Sequence, residues 1–243
     1  MKSKLGFVLL PGAGMSDWVW IKLTPLLDTK AVTLSRRIDV NNRDQRLKSS
    51  FSDIVNYTNS IIEKSGFDEV IVAGHSGAGL LAGALGKANK KVKHVVFIAA
   101  NIPKDGNTAI DVFPEEIRKK NIEAVKAQAE NDTIPMKMLE QMFRTSFCNT
   151  TTEEDIAYIL SQNYQPEPVC VLTEKMDWSS YPDIGKTYII CTRDKTLQER
   201  HQEILASNLK ITDIRRIDSD HMVMISHPEE LAFELNDILK LYL

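Results

Sequence analysis

The apolar positions of this chain fall into short continuous runs, and segments with a helical pattern lie between most of them. Runs rich in β-branched residues, without polar alternation, are typical of parallel strands covered on both faces. Strands are predicted at residues 6–10, 31–34, 70–73, 94–100, 187–192 and 211–217. Helices are predicted at about 17–27, 52–64, 76–89, 197–207 and 228–241. This alternation predicts an α/β fold with a doubly wound, mainly parallel sheet of about six strands and right-handed crossovers.

The alternation stops between about residues 102 and 184, where no run is typical of a buried strand. Helical patterns occur there at 114–130, 135–147 and 152–162, and the last begins with a Thr-x-x-Glu/Asp sequence that is typical of a helix start. The sequence therefore predicts one domain, residues 1–243, with a helical cap inserted at about 102–184. Because the insertion follows a strand end, we expect it to roof a site at the carboxyl edge of the sheet.

Composition and charge narrow the class of protein. Of the 243 residues, 43% are hydrophobic and 26% are charged, which are ordinary globular values. A net charge of -3 gives no electrostatic reason to expect nucleic acid or an anionic membrane as partner. No run approaches the ~20 apolar residues of a membrane span, and residues 5–10 are too few for a signal peptide. The three widely spaced cysteines fit reduced thiols and lack zinc spacing. We expect a cytoplasmic protein without a metal site, and no pattern indicates an oligomeric state.

A glycine-rich turn, Gly74-His75-Ser76-Gly77-Ala78-Gly79, lies between the third predicted strand and the next helix. A serine at a sharp strand-to-helix turn needs small residues two positions before and after it, because the strained backbone brings larger side chains into collision. Gly74 and Ala78 meet that need. The first amide groups of the helix can then stabilise an oxyanion. The pattern indicates a nucleophile elbow with Ser76 at its tip.

The alternative is a glycine-rich turn that binds phosphate or only allows close packing. The turn lacks the Lys-Ser/Thr pair of a P-loop and the spacing G-x-G-x-x-G. It also lies too far along the chain to open the first βαβ unit. A strand before the serine and a helix after it favour a catalytic serine.

A catalytic serine needs a general base that is itself oriented by an acid. Among the five histidines, His221 alone is predicted in a short loop after a strand, at the carboxyl edge where Ser76 is expected. For the acid, Asp194 directly follows the fifth predicted strand, which gives the chain order Ser, Asp, His of α/β-hydrolases. Its alternative role is to cap the following helix. The other polar candidates have structural interpretations. His75 is interpreted as packing, His94 as the start of a buried strand, His201 as solvated and His227 as a helix cap. Asp218 and Asp220 are too close to His221 in sequence to bond its ring favourably.

An oxyanion hole requires two backbone amide donors. The amide of Gly77, directly after the serine, is one expected donor. The small loop after the first strand, Pro11-Gly12-Ala13-Gly14, should supply the other, and we favour Ala13 because Pro11 has no amide hydrogen.

Taken in order, several segments resemble the α/β-hydrolase branch that holds plant methylesterases and hydroxynitrile lyases. The resemblance spans nearly the whole chain. It implies the α/β-hydrolase fold, a small helical cap and no metal or organic cofactor, and it matches Ser76, Asp194 and His221 to nucleophile, acid and base. The segments are Phe7-Val8-Leu9-Leu10-Pro11-Gly12-Ala13, Trp18-Val19-Trp20, Lys22-Leu23-Thr24-Pro25-Leu26-Leu27, Gly74-His75-Ser76-Gly77, Cys191-Thr192-Arg193-Asp194-Lys195 and Asp220-His221-Met222-Val223-Met224.

Two positions separate the chemistries of that branch. The lyases resembled here carry a threonine in the oxyanion loop and a lysine after the histidine, whereas this chain has Gly12 and Met222, which resemble the esterases. The resemblance therefore implies that cyanohydrin cleavage is disfavoured. The chain departs from the branch at Pro11, where a histidine is usual.

The expected function is that of a serine hydrolase that cleaves a small carboxylic ester through an acyl-enzyme, without cofactor. Cofactor-free C–C or lactone cleavage and a non-catalytic small-ligand receptor remain alternatives, although an intact triad argues against a receptor. The residues expected near the substrate are Gly12, Trp18, Phe143, Trp178 and Met222. Further apolar cap residues are expected partly in the pocket and mostly in the core of the cap: Phe113, Met136, Met138, Met142, Phe147 and Tyr181.

Overall fold

The computed structural model describes residues 4–34, 42–112, 115–131 and 135–243. Its centre is a six-stranded sheet in the order β2-β1-β3-β4-β5-β6, and every neighbouring pair is parallel. This confirms the sheet that the apolar runs predict. The strands are β1 (Leu5–Leu10), β2 (Ala31–Thr33), β3 (Glu69–His75), β4 (Val92–Ile98), β5 (Gly185–Cys191) and β6 (Asp213–Ile217).

Helices cover both faces of the sheet and fill the segment between β4 and β5. Of the helices in the described residues, α4 to α7 belong to that segment. The helices are α1 (Arg43–Lys48), α2 (Phe51–Lys64), α3 (Gly79–Ala88), α4 (Glu115–Glu130), α5 (Met136–Met142), α6 (Glu153–Leu160), α7 (Cys170–Thr173), α8 (Glu199–Asn208), α9 (Val223–Ser226) and α10 (Pro228–Lys240). Among the residues described, no helix is both long and apolar enough to cross a membrane.

Two hydrophobic cores, one on each face of the sheet, explain why the strand sequences lack polar alternation. Along β1, Val8 and Leu10 enter one core and Phe7 and Leu9 enter the other, and all four are fully buried. Successive side chains of a strand point to opposite faces, so a sheet covered on both sides needs apolar residues at every position. Such burial contributes roughly 25 cal/mol per Å² of apolar surface.

Several helix starts follow the local signals in the sequence. Ser50 and Asp53 form a reciprocal capping box at the start of α2. Thr152 Oγ accepts the amide of Asp155 at the start of α6, as the Thr-x-x-Glu/Asp pattern predicts. The start predicted at residue 114 lies outside the described residues, and α4 is described from Glu115.

Other helix predictions need correction. The helix predicted over 17–27 is two short 3₁₀ turns, Asp17–Trp20 and Thr24–Leu26. Pro25 lies in the second turn and has no amide hydrogen for a continuing helix. The helix predicted over 135–147 ends at Met142 and continues as a π turn, Phe143–Phe147. Neither α1 nor α7 was predicted, because the first has Leu47 as its one apolar residue and the second has a single turn.

Candidate active site

The turn after β3 has the strained backbone of a nucleophile elbow. Ser76 has φ +52°, a left-handed conformation that costs a residue with a side chain of order 1–3 kcal/mol. A Cβ at Gly74 would lie 2.8 Å from the carbonyl oxygen of Ala78, so only glycine fits there. The amide of Asn101, beyond the end of β4, donates to the carbonyl of Ser76 at 2.9 Å and supports the turn from the neighbouring strand.

The three polar side chains selected from the sequence form one continuous hydrogen-bonded relay. Ser76 Oγ lies 2.9 Å from His221 Nε2, and His221 Nδ1 lies 2.5 Å from Asp194 Oδ2. The imidazole and the carboxylate are both fully buried. A carboxylate on Nδ1 fixes the tautomer in which Nδ1 carries the proton, so that Nε2 can accept the proton of the serine hydroxyl.

Asp194 bonds the ring of His221 and the backbone of its own loop, but it does not cap α8, which begins after Gln198. Its Oδ2 accepts from His221, while its Oδ1 accepts the amides of Thr196 at 2.7 Å and Leu197 at 2.9 Å. The loop ahead of α8 therefore holds the carboxylate in place while the other oxygen orients the base. Chain order and strand position were sufficient to select this residue.

His75 has a role that the sequence did not indicate. It is fully buried, as expected of a packing residue, but its Nε2 also donates to the carbonyl of His221 at 2.9 Å. The two imidazole rings lie 4.7 Å apart. His75 thus holds the backbone of His221 in place. This contact joins distant segments, and no sequence signal reveals it. His227, interpreted as a cap of α10, makes no side-chain capping bond and instead contacts Ser226 Oγ at 2.9 Å.

The loop after β1 lies against the elbow, where an oxyanion hole is expected. A Cβ built at Gly77 would lie 3.8 Å from the amide nitrogen of Ala13. Ala13, Gly77 and Ser76 all line the same cavity. The neighbouring amide of Gly14 is engaged elsewhere, because it donates to Glu167 Oε1 at 2.6 Å.

A cavity of about 210 Å³ opens beside Ser76, between the sheet edge and the cap. Its walls are mostly apolar, and Met138, Met142 and Phe147 belong to them, as expected for part of the cap. Gln165 and Glu167 are polar exceptions. The other lining residues are Gly14, Met15, Leu80, Asn101, Ala109, Val125, Leu139, Tyr164, Val171 and Leu172.

The five residues expected near the substrate are not among those that line this cavity, and their contact with substrate stays a prediction. Gly12 faces the His75 ring, and a Cβ there would lie 2.8 Å from Nδ1. Trp18 packs edge-to-face on Tyr158 and Tyr164.

The remaining three belong to the packed interior. Phe143 and Met222 are fully buried. Trp178 packs at α3, where a Cβ at Gly83 would lie 2.9 Å from its ring, and its Nε1 donates to the carbonyl of Pro103. Each of these side chains has a structural partner, which a sequence pattern cannot specify. Phe113 lies outside the described residues.

Two buried cysteines, Cys148 and Cys191, have thiols that burial keeps protonated. Burial raises the pKa of the Cys148 thiol to about 12. Burial also raises the pKa of the Cys191 thiol, at the end of β5. A cysteine nucleophile reacts as the thiolate, which such pKa values disfavour. Both thiols are therefore poorly suited to act as nucleophiles.

Comparison with known proteins identifies relatives that cover the whole chain and share its fold. Salicylic acid-binding protein 2 of Nicotiana tabacum is 27% identical over 271 residues, covering 100% of both chains. Polyneuridine aldehyde esterase of Rauvolfia serpentina is 24% identical over 256 residues, covering 98% of this chain and 96% of that protein. In the solved structure of an extracellular α/β-hydrolase from a Paenibacillus species, the fold matches with a TM-score of 0.79 at 22% identity, covering 96% and 98% of the two chains. The sequence profile of the alpha/beta hydrolase family matches residues 7–235, and the chain therefore belongs to that family.

Proposed function

We propose that this protein is a serine hydrolase that cleaves small carboxylic esters through an acyl-enzyme intermediate. The observation that carries the proposal is the relay from Ser76 through His221 to Asp194, with its serine at the wall of a cavity. A hydroxyl is a weak nucleophile on its own, and a base within hydrogen-bond reach that is held by a third group activates it.

The reaction follows from this geometry. Ser76 Oγ attacks the ester carbonyl as His221 Nε2 takes its proton, and Asp194 stabilises the imidazolium without being protonated. The amides of Ala13 and Gly77 are proposed to hold the oxyanion of the tetrahedral intermediate; removal of one such donor typically costs about 10²- to 10³-fold in kcat. The alcohol leaves with the proton from His221. A water molecule then attacks the acyl-enzyme by the same route and releases the acid.

The cavity supports a small, largely apolar substrate. A volume of about 210 Å³ is below the roughly 300–1,000 Å³ of pockets for drug-sized ligands. Phe147, Leu80 and Val171 are among the apolar side chains that face this space. Short acyl chains should therefore be accepted better than long ones. The similarity to polyneuridine aldehyde esterase supports an ester as the substrate class.

Local packing also supports ester hydrolysis over cyanohydrin cleavage. A side chain at position 12 would collide with the ring of His75, so the threonine of the lyases has no room in this arrangement. Met222 is fully buried and carries no charge, so it cannot replace the lysine that follows the histidine in those enzymes.

The test is turnover of p-nitrophenyl acetate and p-nitrophenyl butyrate by wild type and by Ser76→Ala. We expect wild-type turnover to fall to the background rate in Ser76→Ala, and Ser207→Ala to retain it, since Ser207 is an exposed helix residue that bonds its own helix. Undiminished turnover by Ser76→Ala would remove the serine from the mechanism. Labelling of Ser76 by a fluorophosphonate without ester turnover would favour C–C or lactone cleavage, and tight ligand binding without labelling would favour a receptor.

A further inference from the structure

The carboxylate of Asp220 is fully buried one residue before the base, and the proposed mechanism does not use it. Its Oδ2 accepts the amide of Thr150 at 2.7 Å and the hydroxyl of Thr151 at 2.8 Å. Its Oδ1 accepts the amide of Met222 at 3.1 Å and the hydroxyl of Ser226 at 3.0 Å. Two of these donors precede α6, and the other two follow the base. One buried carboxylate therefore joins the cap to the loop that presents His221.

The cap segment that Asp220 binds, residues 146–151, touches the site at other points; we call it the brace. The ring of Phe147 lies edge-on to the imidazole of His221, with centroids 4.6 Å apart, and it also lines the cavity. The side-chain amide of Asn149 donates to the carbonyl of Arg193 at 3.0 Å, next to the acid. Thr196 Oγ donates to the carbonyl of Ser146 at 3.3 Å. The brace thus contacts both the base and the acid loop.

The hydrogen bonds to the carboxylate of Asp220 hold the brace in place. Hydrogen bonds to a carboxylate are about twice as strong as neutral ones, and a buried acceptor that loses its donors bears a desolvation penalty. The two oxygens of the carboxylate can accept all four donors. The side-chain amide of an asparagine would accept only some of them, because its NH₂ group would face donors. The backbone amide of Asp220 returns a bond to Thr150 Oγ at 3.2 Å. These contacts hold the cap and the base loop in one mutual position.

We propose that Asp220 is a positioning residue that keeps His221 aligned with Ser76 by anchoring the brace. This inference rests on the proposed function for its kinetic readout. An imidazole displaced by about 1 Å can cost about 10²-fold in rate, because proton transfer depends on the separation of the heavy atoms. Loss of the anchor should therefore lower kcat, while the apolar walls that set substrate binding change little.

The matched pair of variants is Asp220→Asn and Asp218→Asn. Asp218 lies two residues earlier and its side chain is 69% exposed, in a surface pair with Arg193. With p-nitrophenyl butyrate, we expect Asp220→Asn to lower kcat about 10- to 100-fold with little change in KM, and Asp218→Asn to stay within about twofold of wild type. A kcat for Asp220→Asn as high as that of Asp218→Asn would overturn the proposal.

A milder variant keeps the test decisive if Asp220→Asn does not fold. Thr151→Val removes one hydrogen bond and leaves the carboxylate, so we expect kcat to fall about two- to fivefold at constant KM. An unchanged kcat would count against the proposal.

A readout without substrate separates this inference from the proposed function. The Nδ1 proton of His221, bonded to Asp194, should give a low-field proton NMR resonance in wild type and in Asp218→Asn. We expect it to shift or broaden in Asp220→Asn even if no ester is a substrate. An unaltered resonance in folded Asp220→Asn would refute the positioning role. Absence of ester turnover by the wild type would instead refute only the proposed function.

Discussion

The sheet has a carboxyl edge, where its parallel strands end, and an amino edge, where they begin. Each of these edges holds a buried histidine bonded to a hydroxyl group, with a carboxylate nearby. At the carboxyl edge, the imidazole of His221 lies between the hydroxyl of Ser76 and the carboxylate of Asp194. At the amino edge the order differs, because His94 Nε2 lies 2.8 Å from Thr187 Oγ and that hydroxyl donates to Asp213 at 2.6 Å. The same three kinds of group thus form the proposed proton relay at one edge and a different hydrogen-bond network at the other.

The order of the groups explains the difference. Thr187 gives its proton to a carboxylate, so its oxygen accepts from His94 and the imidazole cannot serve as its base. Burial lowers the pKa of His94 to about 4, which keeps the ring neutral. Thr187 is also fully buried within β5, whereas Ser76 lies at the cavity wall. Position at the strand ends and order of bonding, more than residue composition, indicate catalysis.

Replacing each histidine with glutamine should give the largest contrast. His221→Gln removes the base, and we expect kcat to fall about 10⁴-fold or more. His94→Gln should leave kcat unchanged and lower the free energy of unfolding by about 1–3 kcal/mol, because buried partners lose their hydrogen bonds. Ester assays and urea unfolding of both variants check this. Equal kcat losses in the two would abolish the distinction between the edges.

The two aspartates should differ in the same direction, with a smaller effect. Asp194→Asn presents an amide to Nδ1 and favours the wrong tautomer, so we expect kcat to fall about 10³- to 10⁴-fold. Asp213→Asn, at the amino edge, should leave kcat at the wild-type value. Steady-state assays at a pH near 8 provide the measurement, and a wild-type kcat for Asp194→Asn would contradict the assigned acid.

The pH dependence of stability should reveal the hydrogen-bond network of His94 at the amino edge. The folded pKa of His94, about 4, lies below its ordinary value of 6.5, so the unfolded chain binds the proton more readily. Stability is therefore present above pH 6.5 and is lost as the pH falls from 6.5 towards 4, by up to about 3 kcal/mol. Urea unfolding of wild type and His94→Gln across this range isolates the contribution, and parallel curves for the two would exclude it.

Tyr242→Phe should have the smallest effect. It removes the phenol oxygen that lies 2.9 Å from His94 Nδ1 and leaves the ring packing against the imidazole. We expect a loss of about 1 kcal/mol in the free energy of unfolding and an unchanged kcat. A lower kcat would indicate that the two edges are coupled.

The sequence predicted the sheet and the relay for one common reason. Apolar runs mark parallel strands, and the carboxyl ends of parallel strands meet at one edge. Ser76, Asp194 and His221 each follow such a run, so their proximity could be inferred without knowing any side-chain packing. The small residues Gly74 and Ala78 likewise predicted the strained turn around Ser76.

Tertiary packing determines what the sequence did not reveal. Phe143 and Trp178 are apolar cap residues like Phe147, yet only Phe147 lines the cavity, because the packing of the cap decides which of them faces Ser76. The roles of His75 and Asp220 depend on contacts with segments far along the chain. No periodicity or local motif encodes such contacts.

The most direct test of the relay is covalent labelling by a fluorophosphonate probe, with the modified residue mapped by mass spectrometry. A serine activated by His221 should form a single adduct at Ser76 in wild type and His94→Gln, and labelling should be slowed strongly in His221→Gln. An adduct at another residue, or equal labelling rates in wild type and His221→Gln, would contradict the account.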